Sequence, residues 1–133
     1  MFDTGRRDLE ANRWVKFVHT LTITGFDFSD ADFAMQVRDT RDTTGSSSRR
    51  ADLSTVATRG DEGIYVVGYA DDVTTVEIVI DAATMQAMDT AADAAKPGED
   101  GAAWYDLQIT PDGGDAFVAL RGAFTIIAGA TTA

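Results

Sequence analysis

The chain holds one histidine, His19, and no cysteine, so it has few groups for proton transfer or nucleophilic attack near neutral pH. By parity His19 falls on the apolar side of its segment, where a structural imidazole is the expected reading. Three of the five serines cluster at 46–48 in a polar stretch, where a nucleophile would lack the fixed surroundings that catalysis needs. No Gly-x-Ser-x-Gly elbow occurs, and no glycine-rich phosphate loop joins a strand to a helix. These observations predict no catalytic residue, no cofactor and no enzyme.

Carboxylates are the remaining candidates for chemistry. Asp27, Asp30 and Asp32 sit close together in GFDFSDADF, and oxygen ligands at short spacing suit a hard cation such as calcium. The central Gly and closing Glu of an EF-hand are missing, so a solvated turn built on Asp is expected, and no metal site is assigned. Asp71–Asp72 and Glu99–Asp100 have the same turn reading. Arg59, Gly60 and Asp61 spell the adhesion tripeptide, but a turn before Ile64 accounts for the Gly and Asp.

Groups suited to protein contact form a second set. Arg6 and Arg7 lie in a polar opening segment, and Arg49 and Arg50 form a basic spot in a Thr/Ser/Asp-rich stretch. Trp14, Trp104, Tyr65 and Tyr69 could make an exposed aromatic patch for sugar or protein. Tyr105 and Phe124 are expected in the core, and Trp14 is open between core and contact. The candidate partner-binding residues are therefore Arg6, Arg7, Trp14, Arg49 and Arg50.

Alternating strands must position these groups. Val15, Phe17, His19, Leu21 and Ile23 share one parity against Lys16, Thr20, Thr22 and Thr24, the period-two pattern of a half-buried strand. Phe33, Met35 and Val37 repeat it. Residues 39–51 contain no large apolar side chain and predict an exposed loop, after which Leu53 and Val56 open a short strand. Residues 64–69 predict a strand with a bulge or close backbone approach at Gly68. Val76, Ile78 and Ile80 follow the turn at Asp71–Asp72. Ala-rich 82–95, with Met85 and Met88 three apart, predicts one short helix that Asp81 caps. The runs around Leu107 and Leu120, joined by PDGGD, predict a terminal hairpin.

The expected fold is all-β, an antiparallel sandwich of about 6–8 short strands with one short helix. Residues 1–13 show no clean period and are expected to form an N-terminal arm or a short helix outside the core, ahead of a single domain over 14–130. One domain suits the length.

Charge narrows the partners. Residues 1–60 hold nine basic and nine acidic residues, whereas 61–133 hold two basic and thirteen acidic, so the second half carries the whole net charge of -11. That half repels nucleic acid and anionic membrane. No apolar stretch approaches a membrane span, and no secretory h-region is visible at the start.

Three segments, taken in order, resemble small tail, baseplate and fibre-associated proteins of tailed bacteriophages. Those proteins share a β-sandwich domain of the type at the N-terminus of upper baseplate proteins. LTITGFDFSDADFAMQVRD is similar to their strand, Gly-x-Asp-apolar turn and Met-x-Val-Arg strand. VTTVEIVIDAATMQAM is similar to an alternating strand followed by a short Ala-rich helix, and WYDLQITPDGGDAFVALRGAFTIIAG to a closing hairpin. The resemblance implies a virion structural protein without catalytic residues or cofactors. The implied role is an adaptor or peripheral subunit at a tail, baseplate or fibre attachment site, made in the host cytoplasm. Its partners would be other virion proteins, and it would form a symmetric homo-oligomer within the particle. The alternatives are a capsid decoration or head-tail connector protein, or a carbohydrate or cell-surface binding module. The long polar stretch 39–51 departs from the family pattern, and the chain stops directly after the domain.

Overall fold

A computed structural model describes residues 5–12, 15–38, 49–85 and 101–127. Nine strands follow in chain order: β1 (Gly5–Arg6), β2 (Leu9–Asn12), β3 (Phe17–Thr24), β4 (Asp32–Arg38), β5 (Arg49–Ser54), β6 (Gly63–Ala70), β7 (Val73–Ile80), β8 (Gly101–Thr110) and β9 (Phe117–Ile127). They form two sheets. The larger has the order β1-β9-β8-β4-β5, with β2 also on β9, and the smaller has the order β3-β7-β6. This is the strand order of an immunoglobulin-like sandwich in which the first strand has moved to the larger sheet.

Period two dictates the two inner faces. In β4 the inward side chains are Phe33, Met35 and Val37, and in β8 they are Ala103, Tyr105, Leu107 and Ile109. The registers set Leu53, Met35 and Leu107 side by side, and Phe33 beside Ile109. From the smaller sheet Phe17, Leu21, Ile64, Val76, Ile78 and Ile80 face them. Phe17 meets Phe124 edge to face at 5.4 Å, so one aromatic contact joins β3 to β9 across the interior.

Turn chemistry closes the hairpins. Asp71 and Asp72 both have positive φ (53 and 65), as the two-residue type I′ turn between β6 and β7 requires, and Asp tolerates that region. Gly113 takes φ 75 in the β8–β9 turn, where Gly114 N–H donates to Pro111 O at 2.9 Å. Gly68 follows a bulge in which Val67 is the extra residue. Space around Gly68 is open, so the bulge rather than close backbone approach explains it. Residues 82–85 are helical, and Met85 N–H donates to Asp81 O at 3.0 Å. The rest of the helix expected over 82–95 lies outside the described residues.

Two expectations need correction. The opening segment is not an arm outside the core: β1 and β2 run parallel to β9, and Leu9 and Ala11 join the buried cluster. Pairing with a strand more than a hundred residues away supplies what local pattern lacked. The polar loop expected over 39–51 also ends early, because β5 starts at Arg49 and Ala51 is buried opposite Val37. Residues 39–48 lie outside the described residues.

Candidate docking surfaces

The break between β1 and β2 shows how the edge of the larger sheet is fastened. Arg7 N–H donates to Arg121 O at 3.0 Å, and the Tyr105 hydroxyl donates to Arg7 O at 2.6 Å. Ala123 N–H donates to Asp8 Oδ1 at 3.0 Å. Tyr105 lies opposite Gly122 in the register. A Cβ on Gly122 would collide with the backbone carbonyl of Arg7, so only glycine lets the chain cross here. Desolvation pushes the Tyr105 phenol up to about 12, opposed by the Arg7 charge and aided by Asp8. The phenol is thus held as a neutral donor.

These contacts also locate the expected contact arginines. Arg6 and Arg7 lie on the β1/β2 edge, whereas Arg49 and Arg50 open β5 on the opposite edge of the same sheet. The two pairs do not meet. Arg6 Nε stands 3.8 Å from Asp8 Oδ1 with both side chains exposed, a pair that solvent leaves weak. Trp14 lies outside the described residues, as do the side chains of Arg49 and Arg50.

The aromatic patch is divided in the same way. Trp104 is half-buried on the outer face of the larger sheet, and Tyr65 belongs to the outer face of the smaller sheet beside Glu77. Tyr69 is exposed at the far end of β6, where its hydroxyl donates to Asp72 Oδ1 at 3.3 Å. Slight desolvation, and then the charge and hydrogen bond of Asp72, push its phenol up.

His19 faces inward and stacks on Phe17 at 6.2 Å, and its Nε2 is buried without a hydrogen-bond partner among the described residues. Desolvation, and then the charge of Arg7, hold it below its ordinary value. Asp27 forms an Asx turn, accepting Ser29 N–H at 2.9 Å and Ser29 Oγ–H at 2.6 Å. The Ser29 hydroxyl, and then its amide, draw the Asp27 carboxyl down. Among the described residues no three His, Asp or Glu side chains come together as metal ligands.

The adhesion tripeptide is also built into the fold. The Arg59 guanidinium lies 3.2 Å from Glu77 Oε2, Gly60 has φ 95, and Gly60 O accepts from Lys16 Nζ at 3.0 Å. It serves as a turn that leads the chain from β5 into β6.

Sequence pattern did not single out Val18, Phe26 or Val67. Val15, Val18, Phe26, Val67 and Tyr69 are the exposed large apolar side chains among the described residues. All five flank the smaller sheet: Val15 and Val18 around the start of β3, Phe26 just past its end, and Val67 and Tyr69 on β6. The signal was present in part. Val18 is the apolar residue on the Thr side of β3, and Val67 adjoins Gly68. Phe26 sits on a pinned loop. The buried Thr74 hydroxyl accepts Phe28 N–H at 3.0 Å and donates to Phe26 O at 2.9 Å, so the backbone holds the exposed ring in place.

No protein-family model and no curated protein sequence matches the chain. Similar solved structures include one from photo-crosslinking analyses of multimeric cell-adhesive interactions of VGSC beta subunits, at 10% identity, 93% of each chain and TM-score 0.47. Another is the periplasmic chaperone SfaE, at 10% identity and TM-score 0.42, where the match covers 92% of this chain and 54% of that one. Neither likeness bears on what this chain binds.

Proposed function

We propose that this chain is a non-catalytic structural subunit of a tailed bacteriophage particle, an adaptor or peripheral protein of the tail, baseplate or fibre attachment site. One observation carries the docking half of this reading: exposed apolar side chains gather around the smaller sheet, with Val18 at 53% and Phe26 at 49% exposure. Apolar surface of this kind gains free energy when a partner covers it. Support for the phage half comes from the three collinear segments of the sequence. They fall on β3–β4, on β7 with the helical turn, and on the β8–β9 hairpin.

The mechanism is surface complementarity on a rigid sandwich. Other virion proteins cover the smaller sheet, and symmetric repetition multiplies modest contacts into firm attachment. The chain is made in the host cytoplasm and ends in the virion. Mass spectrometry of purified particles tests this reading, together with electron microscopy of particles whose gene for the chain is deleted. The expected result is the chain present at a fixed copy number, and a defined piece of density lost on deletion. Particles that lack the chain and keep their architecture would reject it.

A further inference from the structure

Sheet edges are where strands recruit strands, and natural proteins blunt them with charges, breaks and bulges. Three of the four edges here are blunted. The β1/β2 edge is interrupted at Arg7 and Asp8 and also carries Arg6 and Glu10. The β5 edge carries Arg49, Arg50 and Asp52, and its pairing shifts between Val37 and Arg38. The β6 edge has its bulge between Val66 and Gly68 and is tied to the larger sheet through the Thr55–Ile64 bridge.

The β3 edge has none of these protections. Its sequence is FVHTLTIT, with no charge, no Pro and no Gly. It pairs with β7 through eight consecutive partners without a shift. Among the described residues no strand pairs with its other side. Val18, Thr20, Thr22 and Thr24 form an exposed row along its outer face. This is a long, regular, β-prone and uncharged edge, the combination that templates strand addition.

We infer that β3 pairs antiparallel with β3 of a second copy, joining two smaller sheets into one continuous sheet across a twofold axis. The inference rests on the reading of the chain as a docking subunit and adds the edge and the partner. Charge favours a second copy. The chain carries -11, yet residues 11–26 contain no acid and two basic residues, so two copies meet here with the least repulsion. A basic partner would instead be drawn to the acidic second half. The side chains are also self-complementary. A twofold at Leu21 sets Thr20 opposite Thr22 and Val18 opposite Thr24, pairing the exposed row with itself on one face. Cross-strand Thr pairs and apolar pairs of this kind are favourable.

Two measurements on the full chain test the inference. In analytical ultracentrifugation the wild type should dimerise with rising concentration. Thr20→Lys with Thr22→Lys should raise the dissociation constant by at least about tenfold, because like charges then face each other. Gln108→Lys, exposed on the outer face of the larger sheet, should leave it unchanged. Circular dichroism of each variant verifies the fold. The absence of native cysteine makes the second measurement clean. An oxidised mixture of Thr20→Cys and Thr22→Cys chains should cross-link as the heterodimer, well above either variant alone. A wild type that stays monomeric at millimolar concentration, or cross-linking indifferent to the Thr20–Thr22 pairing, would overturn the inference. If such a monomeric chain loses particle attachment in the lysine variant, the occupant is a strand of another virion protein. A dimer that never enters particles would reject the proposed function and leave the β3 pairing intact.

Discussion

The two sheets face water differently. On the outer face of the larger sheet Gln36, Asp106 and Arg121 lie side by side in the register, with Asp52 beyond Gln36, and Trp104 is half-buried beside them. Among the described residues this sheet exposes no large apolar side chain. The smaller sheet and its flanks expose five. The larger sheet also fastens its first strand through backbone bonds, the Tyr105 hydroxyl and Asp8, whereas among the described residues no strand pairs with the second side of β3. The contrast motivates the proposed division, in which one sheet stabilises the fold and the other meets the partner.

Substitutions test that division. Phe124→Ala should have the largest effect on stability. It opens a cavity in the larger sheet and removes the ring contact with Phe17, so a loss of about 3–5 kcal/mol is expected in urea unfolding. Gly122→Val forces a side chain against Arg7 O and should cost about 1–3 kcal/mol. Faster amide exchange confined to β1 and β2 would locate the damage.

Tyr105→Phe is smaller. It leaves the Arg7 carbonyl without its donor and should cost about 1 kcal/mol at neutral pH. Its pH dependence carries a sign. The folded phenol ionises at about 12, above the value of about 10 expected in the unfolded chain. The contribution is therefore complete below about pH 10 and is lost as pH rises toward 12. Thermal melts of wild type and Tyr105→Phe should converge over that range. Smallest of all, Val18→Ser, Phe26→Ser and Val67→Ser should each change unfolding free energy by no more than about 0.5 kcal/mol. If any of them destabilises like Phe124→Ala, the division between the sheets fails.

Much of the sandwich was legible in the sequence. Strands β3, β4, β7, β8 and β9 announce themselves by period two, because each buries one face and wets the other. The turn at Asp71–Asp72 and the bulge before Gly68 follow from residue type. Strands β1 and β2 were hidden. Leu9 and Ala11 alternate too briefly to register, and their partner β9 is distant in sequence and parallel. The start of β5 was hidden because Arg49 and Arg50 look like loop residues until Arg38 of β4 pairs with Arg49. The candidate contact residues were less legible. Neighbouring arginines in sequence do not reveal that Arg6–Arg7 and Arg49–Arg50 occupy opposite edges. Parity assigns Val18 to the Thr face of β3 but cannot tell whether anything covers that face.

In the proposed role the smaller sheet docks this chain onto a particle. The most direct test of that role is the amount of chain incorporated into purified phage by Val18→Ser/Phe26→Ser/Val67→Ser, set against wild type and against Gln36→Ser on the outer face of the larger sheet. The triple variant should remain folded and be lost from particles, while Gln36→Ser is retained at the wild-type level. Full incorporation of the folded triple variant would contradict that role.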